Sequence, residues 1–135
     1  MVTLRFCKIL IVDDAEFFRV KLKKILTEAK IGYKFYFAND GKEAISQYIA
    51  HRPHITIMDI IMPNIDGIKA SEAIKKFDPN AKIVVISSKD NQSTLDAVIK
   101  SGYAKDYVFK PCDSSAIVMA ISKLLSVKKK IKITT

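Results

Sequence analysis

The sequence predicts an α/β fold in which a doubly wound parallel sheet is covered by helices on both faces. Short runs rich in Ile and Val alternate, five times over, with longer stretches whose apolar residues recur at three- and four-residue spacing. The short runs are continuously apolar rather than alternating, which implies strands buried on both faces and so a parallel sheet between two helical layers.

The first strand is predicted at Lys8–Val12, the others at Phe35–Ala38, Ile55–Met58, Ile83–Ile86 and Tyr107–Phe109. The first helix carries Phe18, Leu22, Ile25 and Ala29 on its apolar face, and the second, more loosely, Ala44, Ile45, Tyr48 and Ile49. The third presents Ala70, Ala73, Ile74 and Phe77, the fourth Leu95, Val98 and Ile99, and the fifth Ile117, Ala120, Ile121 and Leu124. Asn39-Asp40-Gly41 and Asp66-Gly67 read as turns, and Asp113 is placed to cap the last helix.

At 135 residues, with 49% hydrophobic and 27% charged residues, the chain is expected to form one globular domain. No apolar stretch approaches the roughly 18 residues that cross a bilayer, and Met1 to Lys8 lacks a signal-peptide core, so a cytoplasmic protein without membrane insertion is expected. Cys7 and Cys112 have no neighbours at metal-ligand spacing and read as reduced thiols. The net charge of +9 raises nucleic acid or an anionic surface as a partner, and the charge distribution weakens both. Lys and Arg are scattered over helix faces, and the one dense run, Lys128 to Lys130 with Lys132, reads as a solvated tail, so no nucleic-acid partner is expected.

In doubly wound sheets reactive groups gather beyond the carboxyl ends of the strands. Asp13 and Asp14 follow the first strand and Asp59 follows the third. Converging carboxylates repel and raise one another's pKa unless a cation neutralises them. Mg2+ is the expected cofactor, because a hard ion takes carboxylate and carbonyl oxygens. Asp14 and Asp59 are the expected direct ligands, Asp13 acts through a coordinated water, and the backbone carbonyl of Ile61 adds one oxygen. Ser87 and Ser88 end the fourth strand, and Lys110-Pro111 the fifth. A hydroxyl, an ammonium and a divalent cation together suit phosphoryl transfer to a carboxylate, which is mostly positioning and charge stabilisation.

From Arg5 to Ser126 these residues resemble the receiver domains of two-component response regulators. Ile9-Leu-Ile-Val-Asp-Asp14 looks like the family's first strand and acidic pair, and Met58-Asp-Ile-Ile-Met-Pro-Asn-Ile-Asp-Gly67 like its phosphoacceptor segment. The resemblance implies a flavodoxin-like (βα)5 fold with strand order 2-1-3-4-5. It makes Asp59 the phosphoacceptor, Ser87 the Ser/Thr, Lys110 the lysine and Tyr107 the aromatic switch, with a domain at 5–126 and a basic tail at 127–135. It implies a signalling switch with self-assisted phosphorylation and dephosphorylation rather than a turnover enzyme. It further implies a CheA-like histidine kinase as phosphodonor, and as other expected partners a phosphatase and an output protein, such as a motor or motor adaptor, contacted through the fourth helix, fifth strand and fifth helix. Asp14-Ala-Glu-Phe-Phe-Arg19 and Asn91-Gln-Ser93 look most like stand-alone, chemotaxis-type, CheY-like regulators.

Some positions depart from the family's pattern. Gly102-Tyr-Ala-Lys-Asp106 is one residue longer than the usual segment. Ile61 and Lys89 occupy positions that tune phosphate lifetime, and an apolar Ile61 cannot orient water, so slow self-dephosphorylation is expected. Three other readings compete. An aspartyl-phosphate hydrolase would carry a second Asp where Ile61 stands, and a flavin-binding protein would need a phosphate cradle where Asp13, Asp14 and Ala15 would repel phosphate. A phosphorelay intermediate that passes the group to another histidine protein stays open.

Overall fold

The computed structural model describes residues 4–62, 65–88, 92–110 and 115–124, without the side chain of Ser88. Strands and helices alternate as β1 (Lys8–Val12), α1 (Glu16–Glu28), β2 (Lys34–Ala38), α2 (Gly41–His51), β3 (Ile55–Asp59), α3 (Gly67–Phe77), β4 (Ile83–Ser88), α4 (Gln92–Ser101) and β5 (Asp106–Lys110). A fifth helix, α5, covers 115–124, and a 3-10 turn, Leu4–Phe6, precedes β1. All pairings are parallel, in the order β2-β1-β3-β4-β5. The fold is the doubly wound, flavodoxin-like one the sequence implied.

Side-chain alternation along the strands divides the core into two layers. Ile9, Ile11, Ile55, Ile57, Val84, Ile86 and Val108 face α1 and α5, meeting Phe18, Leu22, Leu26, Ile117 and Ile121. Leu10, Val12, Met58, Ile83 and Val85 point the other way, onto Ala44 and Tyr48 of α2, Ala70 and Ile74 of α3, and Leu95 and Val98 of α4. Each fully buried Ile or Leu contributes roughly 2 kcal/mol, which favours this one register over a slip that would turn every side chain to the wrong layer.

The continuous-burial argument holds for β1 and β3, but not for β2 and β5, whose residues are mostly half-buried or exposed because each strand lies at an edge of the sheet. In α1 the buried face is Phe18, Leu22 and Leu26, and Ala29 is the exposed C-cap beyond the helix. Ile49 and Phe77 are 47% and 41% exposed, and Phe77 lies under the Arg52 guanidinium at 4.6 Å.

The two segments read as turns are helix starts. Asp40 Oδ1 accepts from the Glu43 N–H at 2.7 Å, and Asp66 Oδ1 from the Lys69 N–H at 2.9 Å, so each Asp caps the helix that its following Gly opens. Both glycines are needed for close approach. A Cβ on Gly41 would stand 1.9 Å from the Ile65 carbonyl oxygen, and one on Gly67 would stand 2.0 Å from the Asp59 carbonyl oxygen. Asp113, expected to cap α5, lies outside the described residues, as does the 127–135 tail.

Candidate functional site

Strand order brings the ends of β1, β3 and β5 to one edge, and alternation then sorts their side chains. Asp13 continues the parity of Ile9 and Ile11, Asp59 that of Ile55 and Ile57, and Lys110 that of Val108, so all three fall on the side of α1 and α5. Ser87 and Tyr107 continue the opposite parity, on the side of α4. The predicted site residues therefore form two adjoining groups that meet where the strands end.

In the first group, ligand oxygens of Asp13, Asp14 and Asp59 all lie within 4.8 Å of one another. Asp13 and Asp59 are 1% and 5% exposed, while Asp14 faces solvent. The Lys110 ammonium donates to Asp13 Oδ2 at 2.7 Å and stands 3.5 Å from Asp59 Oδ2. Asp13 is further fixed by the Ala15 N–H, which donates to its Oδ1 at 2.9 Å, and by Arg19, whose Nη1 donates to its backbone carbonyl at 2.6 Å. The Lys110 ammonium also lies 4.4 Å from the centre of the Phe18 ring, on the apolar face of α1.

The electrostatics follow from this crowding. Burial, then the Asp13 charge, pushes the Asp59 carboxyl up to about 6; the Lys110 ammonium opposes this, and Asp14 adds to it. Burial would pull the Lys110 ammonium down, but its hydrogen bond to Asp13 and the Asp59 and Asp13 charges hold it above its ordinary value. The expected repulsion is thus present at Asp59, with desolvation the larger cause. The set offers oxygen donors only and has more acid than Lys110 can neutralise, which fits a hard divalent cation such as Mg2+.

In the second group, Ser87 is buried and sits opposite Phe109 in the β4–β5 register. Tyr107 is half-buried, packs edge-on against Phe109 at 5.4 Å, and accepts a hydrogen bond from Gln92 Nε2 at 3.0 Å. Ile61 follows β3 and is 62% exposed. Lys89, Asn91 and Pro111 lie outside the described residues. Sequence reasoning quoted Gln92 without its bond to Tyr107, and placed Phe18 in the core without its contact to Lys110. No local spacing signals either role, because both depend on partners many residues away.

The chain matches the response regulator receiver domain over residues 9–122. It belongs to the response regulator receiver family. Relatives of this receiver domain include the chemotaxis protein CheY of Thermotoga maritima, 45% identical over 118 residues that cover 87% of this chain and 96% of that protein. The chemotaxis protein CheY of Bacillus subtilis is 40% identical over 120 residues, covering 88% and 98%. Among solved structures, a chain of the CheX–CheY–BeF3–Mg2+ complex from Borrelia burgdorferi superposes with a TM-score of 0.82 at 30% identity, covering 88% of this chain and 89% of that one.

Proposed function

We propose that this receiver domain takes a phosphoryl group onto Asp59 from a CheA-like histidine kinase and, as a chemotaxis regulator, controls an output protein. The observation that carries the reading is the Lys110 ammonium, set between two buried carboxylates with Asp14 beside them. Asp14 and Asp59 would hold Mg2+ directly, Asp13 through a water, with the Ile61 carbonyl as a further oxygen. The bound ion supplies charge neutralisation for the incoming phosphoryl oxygens. Asp59 attacks phosphorus, the histidine nitrogen of the donor keeps the electron pair of the broken P–N bond, and an acyl phosphate remains. Lys110 then turns from Asp13 and Asp59 toward the new oxygens.

Ser87 reaches over the end of β4 toward the phosphoryl group and vacates space on the α4 side, into which Tyr107 turns. The α4–β5–α5 surface changes with it, and a partner that binds the two states differently reads the change. The CheY names of the relatives and the BeF3–Mg2+ complex formed by a structural neighbour support this assignment. The domain spans 5–126 on this reading, and deleting 127–135 leaves Mg2+ binding intact.

The test is intact-mass spectrometry of the chain and of Asp59→Asn after incubation with Mg2+ and acetyl phosphate. A gain of roughly 80 Da in wild type alone, dependent on Mg2+ and labile to hydroxylamine, is expected. No gain in a folded wild type overturns the reading.

A further inference from the structure

The edge of the sheet opposite the carboxylates has a chemistry of its own. All five strands begin there, and each begins at or just after a basic residue: Lys34, Lys8, His54, Lys82 and Lys105 in the order β2-β1-β3-β4-β5. Lys34 and Lys105 are exposed, and Lys8 and Lys34 are register partners. At the β2 corner the Gly32 N–H donates to the Leu4 carbonyl at 2.7 Å and the Tyr33 N–H to the Cys7 carbonyl at 3.0 Å. These bonds set Phe6 and Tyr33 side by side, ring centres 6.5 Å apart, with 59% and 60% of each exposed. Arg5, adjacent to Phe6 in the chain, and Lys30, three residues before Tyr33, are both exposed.

Helix carboxyl ends also finish at this edge, and their partial negative charge accounts for cations such as Lys76 in the last turn of α3. It accounts for Lys8 too, whose ammonium donates to the His51 carbonyl at the end of α2 at 2.9 Å, but not for the exposed Lys34 and Lys105 at strand starts, nor for two exposed aromatic rings. Glu28, Asp78 and Asp106 offset part of the charge, and Asp78 is committed to the Tyr48 hydroxyl at 2.7 Å. The remaining cations feel one another. Burial and then the Lys8 and Lys82 ammoniums hold the His54 imidazole below its ordinary value, and burial and then Lys105 do the same to Lys75.

We infer that this amino edge is a peripheral docking surface for an anionic phospholipid layer, with the Phe6–Tyr33 pair seated at headgroup level and Arg5, Lys30 and Lys34 on the phosphates. Paired aromatics beside Lys and Arg suit the headgroup region. The rings meet at 62°, edge to face, so they do not form the open parallel faces on which nucleic-acid bases stack. No helix among the described residues is long and apolar enough to cross a membrane, and none is needed. Docked this way, the protein turns Asp13, Asp14 and Asp59 away from the lipid.

The test is co-sedimentation of the full chain with phosphatidylcholine vesicles, with and without about 30% phosphatidylglycerol, at low and high salt. Binding is expected only to the anionic vesicles and is lost at high salt. Arg5→Gln with Lys34→Gln should weaken it at least tenfold, since each cation near such a surface adds roughly fivefold. Phe6→Ser with Tyr33→Ser should weaken it comparably, with the circular dichroism spectrum unchanged. Lys42→Gln, at the start of α2 and far from this edge, should change it little. Four results would each overturn the assignment: no anionic binding in wild type, an equal loss in Lys42→Gln, loss only on deleting 127–135, or tighter binding to duplex DNA that the aromatic substitutions leave unchanged.

Discussion

Replacing Asp59 with Asn removes a buried carboxylate whose charge the fold disfavours. The residue is 5% exposed, and its carboxyl is pushed from 3.8 up to about 6 by burial and by Asp13. The folded protein therefore binds more protons than the unfolded chain between those two values, and wild-type stability falls as pH rises through that window. Above about pH 6 the cost is complete, at ~3 kcal/mol for a gap of this width. Asn forgoes the attraction to Lys110, but Lys110 keeps its 2.7 Å bond to Asp13. The net gain at about pH 7.5 is therefore ~1 to 3 kcal/mol, or a few degrees in Tm or more. Urea denaturation followed by circular dichroism, without divalent ions, reads it directly. At about pH 4.5 most of the wild-type penalty is gone, and the advantage should fall to about a third. An Asn variant no more stable than wild type at neutral pH, or one whose advantage is the same at both pH values, would refute the reasoning.

Gln92→Ala removes the hydrogen bond that holds the Tyr107 hydroxyl at the start of α4. It should raise the rate of Asp59 phosphorylation by acetyl phosphate by up to about tenfold, the worth of one hydrogen bond, and an unchanged rate argues against a restraint on Tyr107. His54 Nδ1 accepts from the Lys8 N–H at 2.9 Å and the imidazole is held below 6.5. Stability contributed there is present above pH 6.5 and lost as pH falls below it, and an NMR titration placing His54 at or above 6.5 contradicts this. Ile61→Asn puts a polar group where an exposed apolar side chain stands beside the site. The variant's phosphorylated form should decay several-fold faster than wild type by mass spectrometry, and a wild-type lifetime of only seconds overturns the expectation of slow decay.

The parallel fold was legible in the sequence because its inner strands are continuous apolar runs. Lys8–Val12 was read at its observed bounds, and Ile83–Ile86 fell short only by its terminal serines. The edge strands were read too short because one flank of each is exposed: Lys34 opens β2 in solvent, and Asp106 opens β5 half-buried. Asn39-Asp40-Gly41 misled because Asp and Gly serve turns and helix starts alike, and the deciding contact, Ile65 against Gly41, is remote in sequence. The three Asp residues were legible as a group because strand ends in a parallel sheet share one edge. What could not be read was the choice Lys110 makes between carboxylates, closer to Asp13 than to Asp59. That choice depends on the relative heights of strands separated by most of the chain.

The absent side chains of Gly41 and Gly67 have a mechanical meaning. The amino end of α3 rests on the peptide of Asp59, and the amino end of α2 rests on the peptide of Ile65, in the segment that leads into α3. Backbone bears on backbone at both places, with no rotamer between them to flex and absorb a displacement. A shift of a few tenths of an ångström at the end of β3 is therefore passed to two helices like motion through meshed gears without backlash.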